Sequence, residues 1–393
     1  MNLSFENFIC YDDKLWFTDI ETNEFYYYDL KEKETVLICE IVEELEYKQR
    51  LFGSIIQYNN SMYLIPFEAE YMYKVDLDTN TYKQIDIINH ENECKGDIHY
   101  LKFLSAHVYE NKIYMIPVTY PAIIEFDCVT EEVAYYDSWV KLIDKYYLFD
   151  DAAFFRKTLL LGKKIYAPLC AGNAVMVFDI DSKQSVFKVV GSKQCSFSGI
   201  SQMGNDFWLS PRRDGPVVKW NEKLNICEEY TDFIGKEKGN CGFSDIFCLN
   251  NQLLIIPLMG KTLYEIDCAT GKVLHYIKDL FLEYNGFDFT IYKRKLYLFA
   301  LHTKCLSIIN PITNEINYQN IRIDNKCYEK RRKKKSFTYH ILHNLCLTNE
   351  SVLEDDYENA LQEYIYYSQK EKNNITFQMA IGNGKKIYKK LIG

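Results

Sequence analysis

The sequence predicts an all-β protein, a seven-bladed β-propeller followed by a short helical C-terminal tail. Three observations lead to this fold. An aromatic-rich strand ending in Pro or a small residue recurs seven times, and an Asp or Asn follows each copy after ten or eleven residues. Successive copies of that Asp or Asn lie 42 to 52 residues apart, which is the period of a four-stranded blade. Tyr (33) and Phe (24) are abundant, and both favour strands.

Each of the seven units is identified by the end of its aromatic strand and by the acidic or amide residue that follows. The strands end at Thr18, Pro66, Pro117, Pro168, Pro211, Pro257 and Ala300. The residues that follow are Asp29, Asp76, Asp127, Asp179, Asn221, Asp267 and Asn310. Because all seven units carry the same residue type, we expect it to form the turn between the third and fourth strands and to have no catalytic role.

The second unit shows how one repeat divides into four short strands. Asn59–Asn60–Ser61 and Asp78–Thr79–Asn80 have the composition of tight turns, since Asn and Asp tolerate left-handed backbone. The predicted strands cover residues 53–58, 62–67, 72–77 and 81–87. This order predicts a four-stranded antiparallel meander.

The segment Asp267–Cys268–Ala269–Thr270–Gly271 is the clearest copy of an element in which an apolar residue is followed by Asp, two further residues, Thr and Gly. The element resembles the end of the third strand in kelch-like and quinoprotein-like propellers. The double glycine of kelch repeats and the Trp-Asp ending of WD40 repeats are absent. The resemblance therefore implies the propeller fold and leaves the specific family and function open.

Two regions follow from the extent of the repeats. Residues 3–324 form the predicted propeller, and residues 325–393 form a basic linker with a C-terminal helix or tail. The linker is marked by the run 330–335, in which all six residues are Lys or Arg. Within the propeller, residues 40–50, 138–150 and 275–285 are long enough between blades to form a helical turn or two.

Composition narrows the class of protein. A formal net charge of -9 disfavours a general nucleic-acid binder, because such proteins need a basic surface. No stretch reaches the roughly 18 apolar residues of a membrane span. The 13 cysteines are scattered and contain no C-x-x-C pair, which favours free thiols in a reducing compartment. We therefore expect a cytoplasmic protein that does not contact membranes.

Linear motifs for catalysis or cofactor binding are absent. The sequence has no G-x-S-x-G nucleophile turn and no phosphate-binding loop, so it indicates no catalytic residue and no cofactor. His340, His343 and Cys346 recur at a spacing of three, which is the best candidate for metal ligands. No fourth ligand is identifiable and apolar residues alternate with them, so ordinary packing is the favoured interpretation.

The candidate binding face comes from propeller geometry. Loops after the second strands emerge at the same end of the ring as the links between blades, so equivalent loops meet there. They carry acidic residues in the first two blades and mostly basic residues in blades five to seven. These residues are Asp19, Glu21, Glu68, Glu70, Arg212, Arg213, Asp214, Lys261, His302 and Lys304. Adjacent guanidinium groups at Arg212 and Arg213 suit a carboxylate or phosphate. Charges distributed for solubility are the alternative.

Three hypotheses for function remain. The first is a non-catalytic binding or scaffold protein that recognises a protein or anionic peptide with its loop-rich face. The second is a propeller enzyme, such as a hydrolase, a lyase or an accessory maturation factor, with a site in the central funnel. The third is carbohydrate binding. Hydroxyls near the axis, at Ser54, Ser105 and Ser244, are expected to bond neighbouring blades or water, with ligand binding as the alternative.

Overall fold

The protein is a seven-bladed β-propeller, as the repeats predict. The structure, a computed structural model, describes residues 2–20, 22–41, 50–88, 101–149, 152–155, 157–231, 242–249, 252–277, 280 and 285–323. These residues form seven antiparallel sheets, in which strands consecutive in sequence are neighbours. The predicted metal ligands His340, His343 and Cys346 and the whole region 325–393 lie outside the described residues.

Blades 1 to 4 contain the first sixteen strands. Blades 1 and 2 consist of β1 (Phe5–Tyr11), β2 (Lys14–Asp19), β3 (Phe25–Asp29), β4 (Thr35–Cys39), β5 (Phe52–Tyr58), β6 (Ser61–Pro66), β7 (Met72–Asp76) and β8 (Tyr82–Ile85). Blades 3 and 4 consist of β9 (Phe103–Tyr109), β10 (Lys112–Pro117), β11 (Ile123–Asp127), β12 (Val133–Tyr136), β13 (Leu159–Leu161), β14 (Lys164–Pro168), β15 (Ala174–Asp179) and β16 (Gln184–Val189). The strands of blade 2 agree with their predicted bounds to within two residues.

Blades 5 to 7 complete the ring. Blades 5 and 6 consist of β17 (Phe197–Met203), β18 (Asp206–Pro211), β19 (Val217–Asn221), β20 (Ile226–Tyr230), β21 (Phe243–Leu249), β22 (Gln252–Pro257), β24 (Leu263–Ile266) and β25 (Val273–Ile277). Blade 7 consists of β26 (Asn285–Tyr292), β27 (Lys295–Ala300), β28 (Cys305–Asn310) and β29 (Glu315–Gln319), with the two-residue strand β23 (Met259–Gly260) added beside β26.

The repeated Asp or Asn forms the turn between the third and fourth strands in every blade. Its side-chain oxygen accepts a backbone N–H bond from the second or third residue that follows, at 2.8 to 3.2 Å. The fourth residue that follows has left-handed backbone in all seven blades, at Lys33, Asn80, Glu131, Lys183, Asn225, Gly271 and Asn314. The turn therefore has one geometry throughout the ring, and its architectural role is confirmed.

Burial is greatest in the second strand of each blade and falls towards the rim, whereas the innermost strands are partly buried. Second strands are covered by both neighbouring blades, and β6 is buried along its whole length. Fourth strands form the outer edges, and four of the five residues of β20 are exposed. The hydrophobic core thus consists of layers between blades, which explains why the second strands read as nearly continuous apolar runs.

Four of the five prolines that mark the repeats lie opposite phenylalanines. Pro66, Pro117, Pro211 and Pro257 pair in register with Phe52, Phe103, Phe197 and Phe243, the first residues of their blades' innermost strands. The register of each pair shifts by one residue immediately afterwards. Proline is tolerated in sheets at such bulges, because no ladder donor is needed there.

Blade 7 packs directly against blade 1, so the ring is closed. Phe5 stacks on Phe299 with ring centroids 3.8 Å apart. The backbone N–H of Leu3 donates to the carbonyl of Ile321 at 3.0 Å. The four main strands of each blade come from one stretch of chain, so closure depends on packing and on this terminal contact. No strand is exchanged between the chain ends within the described residues.

The connections between blades only partly follow the prediction. Residues 138–150 contain a helix, α1 (Val140–Ile143), and a 3-10 turn (Asp144–Tyr146), as predicted. The helix predicted for residues 275–285 is wrong at its start, because 275–277 belong to strand β25. Most of the connection predicted at 40–50 lies outside the described residues. Within the described residues, no helix is long and apolar enough to cross a membrane.

Candidate functional site

The predicted face residues that the structure describes lie at or after the ends of second strands and therefore at one end of the ring. Glu68 and Glu70 follow β6 of blade 2, and Glu70 is exposed. Arg212, Arg213 and Asp214 follow β18 of blade 5. Lys261 follows β22, whereas His302 and Lys304 follow β27. Blades 3 and 4 separate the acidic pair from the arginines, so the two groups lie on different sides of the face.

Arg212 and Arg213 contact the connection between blades 3 and 4. The guanidinium carbon of Arg212 lies 4.5 Å from the ring centroid of Phe155, and that of Arg213 lies 5.0 Å from the ring centroid of Phe149. Both arginines are partly exposed. Stacking on an aromatic ring orients a planar guanidinium, so the two cations are held in defined positions beside each other.

The acidic side of the face is smaller than the sequence predicts. Asp19 is fully buried, and its carboxylate accepts bonds from the backbone N–H groups of Ser4 and Thr22 at 3.0 and 2.9 Å. The expectation that Asp19 contributes to the exposed face is therefore wrong, because it stabilises its own loop. Glu21 lies outside the described residues.

Lys304 is close enough to Asp19 for electrostatic interaction. Burial lowers the pKa of Lys304, and the negative charge of Asp19 opposes that effect. His302 is exposed beside it. The basic side of the face thus combines a partly buried lysine with the stacked arginines of blade 5.

A second candidate site lies on the axis of the ring. A cavity of about 340 Å³ is lined by the innermost strands of blades 7, 1, 2 and 3 and by Lys157 and Thr158, which precede β13. Equivalent register positions of five innermost strands carry Ser54, Ser105, Gly199, Asp245 and Asp288. At this level the channel therefore carries Ser in two blades, Asp in two and Gly in one.

Three side chains of blades 3 and 4 form a hydrogen-bonded chain in the channel. The hydroxyls of Ser105 and Thr158 are 2.7 Å apart, and the Thr158 hydroxyl is 2.6 Å from Nε2 of His107. Burial lowers the pKa of His107 to about 4, and the positive charge of Lys157 contributes to this shift. The imidazole is therefore neutral at physiological pH and can either donate or accept a hydrogen bond.

Lys157 extends from blade 4 towards blades 6 and 7. Its ammonium lies 3.9 Å from a carboxylate oxygen of Asp245 and 4.4 Å from the ring centroid of Phe289. A Cβ atom at residue 199 would lie 2.4 Å from Oδ1 of Asp245, which explains the glycine there. Asp288 accepts hydrogen bonds from the backbone N–H groups of Asn7 and Phe289, the latter at 2.9 Å.

Sequence reasoning identified part of this channel. Ser54 and Ser105 were expected near the axis, whereas His107, Lys157, Thr158 and Asp245 were not singled out. The available signal was the small or polar residue just after the phenylalanine that starts an innermost strand. His107 follows Ser105 by two residues, so it lies on the same side of β9.

Comparison with known proteins supports the fold. The sequence matches no protein-family profile and no curated protein. Streptogramin B lyase is similar in structure, with a TM-score of 0.59 and 12% identity over 81% of this chain and 94% of that chain. The computationally designed protein Ika8 has a TM-score of 0.55 and 8% identity over 82% and 88% of the two chains.

A third similar structure is an extracellular domain assigned to a hybrid two-component system from B. thetaiotaomicron. It has a TM-score of 0.54 and 11% identity, and the match covers 79% of this chain and 40% of that chain. At these identities the likeness establishes the fold alone. The chain is a β-propeller whose specific family is not identified by any of these matches. Among the described residues, no group of three His, Cys, Asp or Glu side chains could hold a metal ion.

Proposed function

We propose that this propeller is a non-catalytic binding protein whose loop-rich face recognises an anionic segment of a protein or peptide partner. The observation that carries the proposal is the pair of guanidinium groups stacked on Phe155 and Phe149. A carboxylate or phosphate binds such a pair through charge-assisted, bidentate hydrogen bonds. Because stacking already restricts both side chains, binding loses less conformational entropy than it would with freely rotating arginines.

The rest of the face fits an elongated partner better than a single ion. Lys304 and His302 extend the basic side from blade 5 towards blade 7, and Glu68 and Glu70 offer acidic contacts in blade 2. A partner segment with acidic residues at one end and basic residues at the other would complement this arrangement. Such contacts also explain why the loops differ between blades whose strands are alike.

Charge reversal at the stacked arginines tests this proposal. The probe is a fluorescent glutamate-rich peptide, and its binding to the full chain is measured by anisotropy at low and high salt. We expect R212E/R213E to weaken binding by about a hundredfold or more, because two charge-assisted bonds are lost. R212K/R213K keeps the charge and loses the planar stacking, so it should show an intermediate loss.

Lys83 supplies the matched control. It is exposed on strand β8 at the outer edge of blade 2 and pairs with Glu131. K83E changes the net charge in the same direction but should leave peptide binding almost unchanged. Equal loss in K83E, or unchanged binding in R212E/R213E with a native circular dichroism spectrum, would overturn the proposal.

A propeller enzyme with its site in the channel is the second candidate. The chain of Ser105, Thr158 and His107 favours it, because a neutral imidazole bonded to a hydroxyl can accept that hydroxyl's proton. The name of the similar streptogramin B lyase indicates that the fold can support catalysis, but at 12% identity no residue role transfers. Carbohydrate binding stays a prediction.

We also propose that the protein functions in the cytoplasm. The nine described cysteines are free thiols, which is the expected state in a reducing compartment. Five of them, including Cys10 and Cys248, are only partly buried or exposed. Fractionation of cells that express the full chain would test this location, and recovery in a secreted or membrane fraction would contradict it.

A further inference from the structure

The cation Lys157 lines the cavity in the channel. The side chain of Lys157 is 34% exposed, whereas its neighbour Asp245 is 4% exposed. The distance of 3.9 Å between them is an ionic contact and is too long for a hydrogen bond. Within the part of the chain that the structure describes, the other contact of the ammonium is with the Phe289 ring. An ammonium has three donors, so Lys157 can donate to a ligand in the cavity.

Both carboxylates beside the channel accept backbone hydrogen bonds, and Asp245 does so through Oδ1 while its Oδ2 lies towards Lys157. Asp245 accepts from the N–H of Ile246 at 2.7 Å, and Asp288 accepts from the N–H groups of Asn7 and Phe289. Both carboxylates are nearly inaccessible. The charge that a molecule in the cavity would meet directly is therefore the positive charge of Lys157.

The remaining lining of the cavity limits the size and charge of that molecule. Ile9, Ile55 and Ile291 are apolar, while Ser54 and His107 supply neutral polar groups. A volume of about 340 Å³ is at the lower end of the range for small-molecule sites. Lys157 supplies one positive charge against the negative charges of Asp245 and Asp288, so each carboxylate on a ligand adds repulsion and a ligand with one carboxylate is repelled less than a ligand with two.

We propose that the channel binds a small organic monocarboxylate, with the ammonium of Lys157 donating to its carboxylate and Ser54 and His107 contacting its other polar atoms. A carboxylate in the cavity accepts hydrogen bonds from the Lys157 ammonium and gives it an ionic partner at hydrogen-bond distance. The apolar residues accommodate its carbon skeleton. This proposal does not depend on the function proposed for the loop-rich face.

Calorimetric titration of the full chain tests the ligand class. The probes are acetate, glycolate, lactate and benzoate, each compared with its uncharged amide, and malonate serves as the dicarboxylate. We expect at least one acid to bind about tenfold or more tightly than its amide, because the charge-assisted bond to Lys157 is lost in the amide. Malonate should bind more weakly than that acid. The proposal is overturned if no acid binds better than its amide, or if malonate binds best.

Variants of the pair test the role of Lys157. K157M should weaken binding of the preferred acid by about tenfold or more, and K157R should largely retain it. D245N removes the competing carboxylate and should tighten binding. If K157M fails to fold because Asp245 is left without an ionic partner, the neutral double variant K157M/D245N replaces it and should show the same loss.

Lys219 is the matched control outside the channel. Its ammonium lies 5.9 Å from the Trp208 ring centroid and 3.5 Å from Asp206, so it has an aromatic and an acidic neighbour as Lys157 does. K219M should leave acid binding unchanged. Equal losses in K219M and K157M, or wild-type binding by K157M/D245N, would overturn the assignment of Lys157.

Discussion

Two regions of each blade differ in how closely their residue types repeat around the ring. One is the turn between the third and fourth strands, and the other is the start of the first strand. Each turn has an Asp or Asn that accepts a backbone N–H bond and a left-handed residue four positions later. At matched register near the axis, in contrast, five blades carry Ser54, Ser105, Gly199, Asp245 and Asp288. Positions that carry the same residue type in every blade therefore stabilise the ring. Equivalent positions that carry different residues can contact a ligand.

The largest effect should come from a repeated core position. Phe starts the innermost strand in five blades, at Phe5, Phe52, Phe103, Phe197 and Phe243. Phe5 is fully buried and stacks on Phe17 and Phe299, with centroids 4.2 and 3.8 Å apart. We expect Phe5→Ala to lower the free energy of unfolding by about 3–5 kcal/mol, measured by urea denaturation.

Val129 provides the comparison for that measurement. It is 70% exposed in the turn of blade 3, so Val129→Ala should change the free energy of unfolding by less than about 0.5 kcal/mol. A loss below about 1 kcal/mol in Phe5→Ala would mean that the contact between blades 7 and 1 contributes little to stability. Repetition of Phe at this position would then not indicate a large contribution to stability.

Glu125 tests the distinction between repeated, structural positions and unequal, ligand-facing ones. The residue at its register position differs between blades, and yet Glu125 lies away from both candidate sites. It is opposite Tyr114 in register, at a position where blades 2 and 5 carry Lys74 and Lys219. Burial alone would raise the pKa of Glu125, but hydrogen bonds from Lys112, Lys183 and Tyr136 lower it to about 2. The cluster links blade 3 to Lys183 of blade 4, so we expect it to stabilise the fold.

Glu125→Gln should lower the free energy of unfolding by about 2–3 kcal/mol at neutral pH. A carboxylate whose pKa is lowered by folding contributes fully above its ordinary value of 4.5, and the contribution is lost as the pH falls to about 2. The difference between wild type and variant should therefore shrink over that range. Glu265→Gln, at the matched register of blade 6, should have little effect. A pH-independent difference would show that the ion cluster is not its cause.

The blades could be predicted from sequence because their signals are local. Turn chemistry depends on a few adjacent residues, and the strands of blade 2 were placed to within two residues on that basis. The stacking of Arg212 and Arg213 could not be predicted, because Phe155 and Phe149 belong to a connection more than 50 residues earlier. Likewise His107 is brought to Thr158 only by ring geometry, across 51 residues.

Lys157 was missed for a different reason. The innermost strand of blade 4 is the shortest of the seven, Leu159–Leu161, and lacks the phenylalanine that starts this strand in five of the other blades. From the sequence, Lys157 is therefore interpreted as part of a solvated connection between blades. Because blade 4 departs from the repeat, it places the cation Lys157 in the channel. Such a difference between blades is what we associate with ligand binding.

The smallest effect should come from a single turn. Asn310 accepts the N–H of Ile312 at 3.0 Å, and five other blades use Asp for the same bond. We expect Asn310→Ala to lower the free energy of unfolding by about 1 kcal/mol and Asn310→Asp to leave it nearly unchanged, since only alanine removes the acceptor. Neither change should alter binding of the glutamate-rich peptide or of a monocarboxylate. Impaired binding in a stably folded Asn310→Ala protein would contradict the separation of repeated, structural positions from unequal, ligand-facing ones.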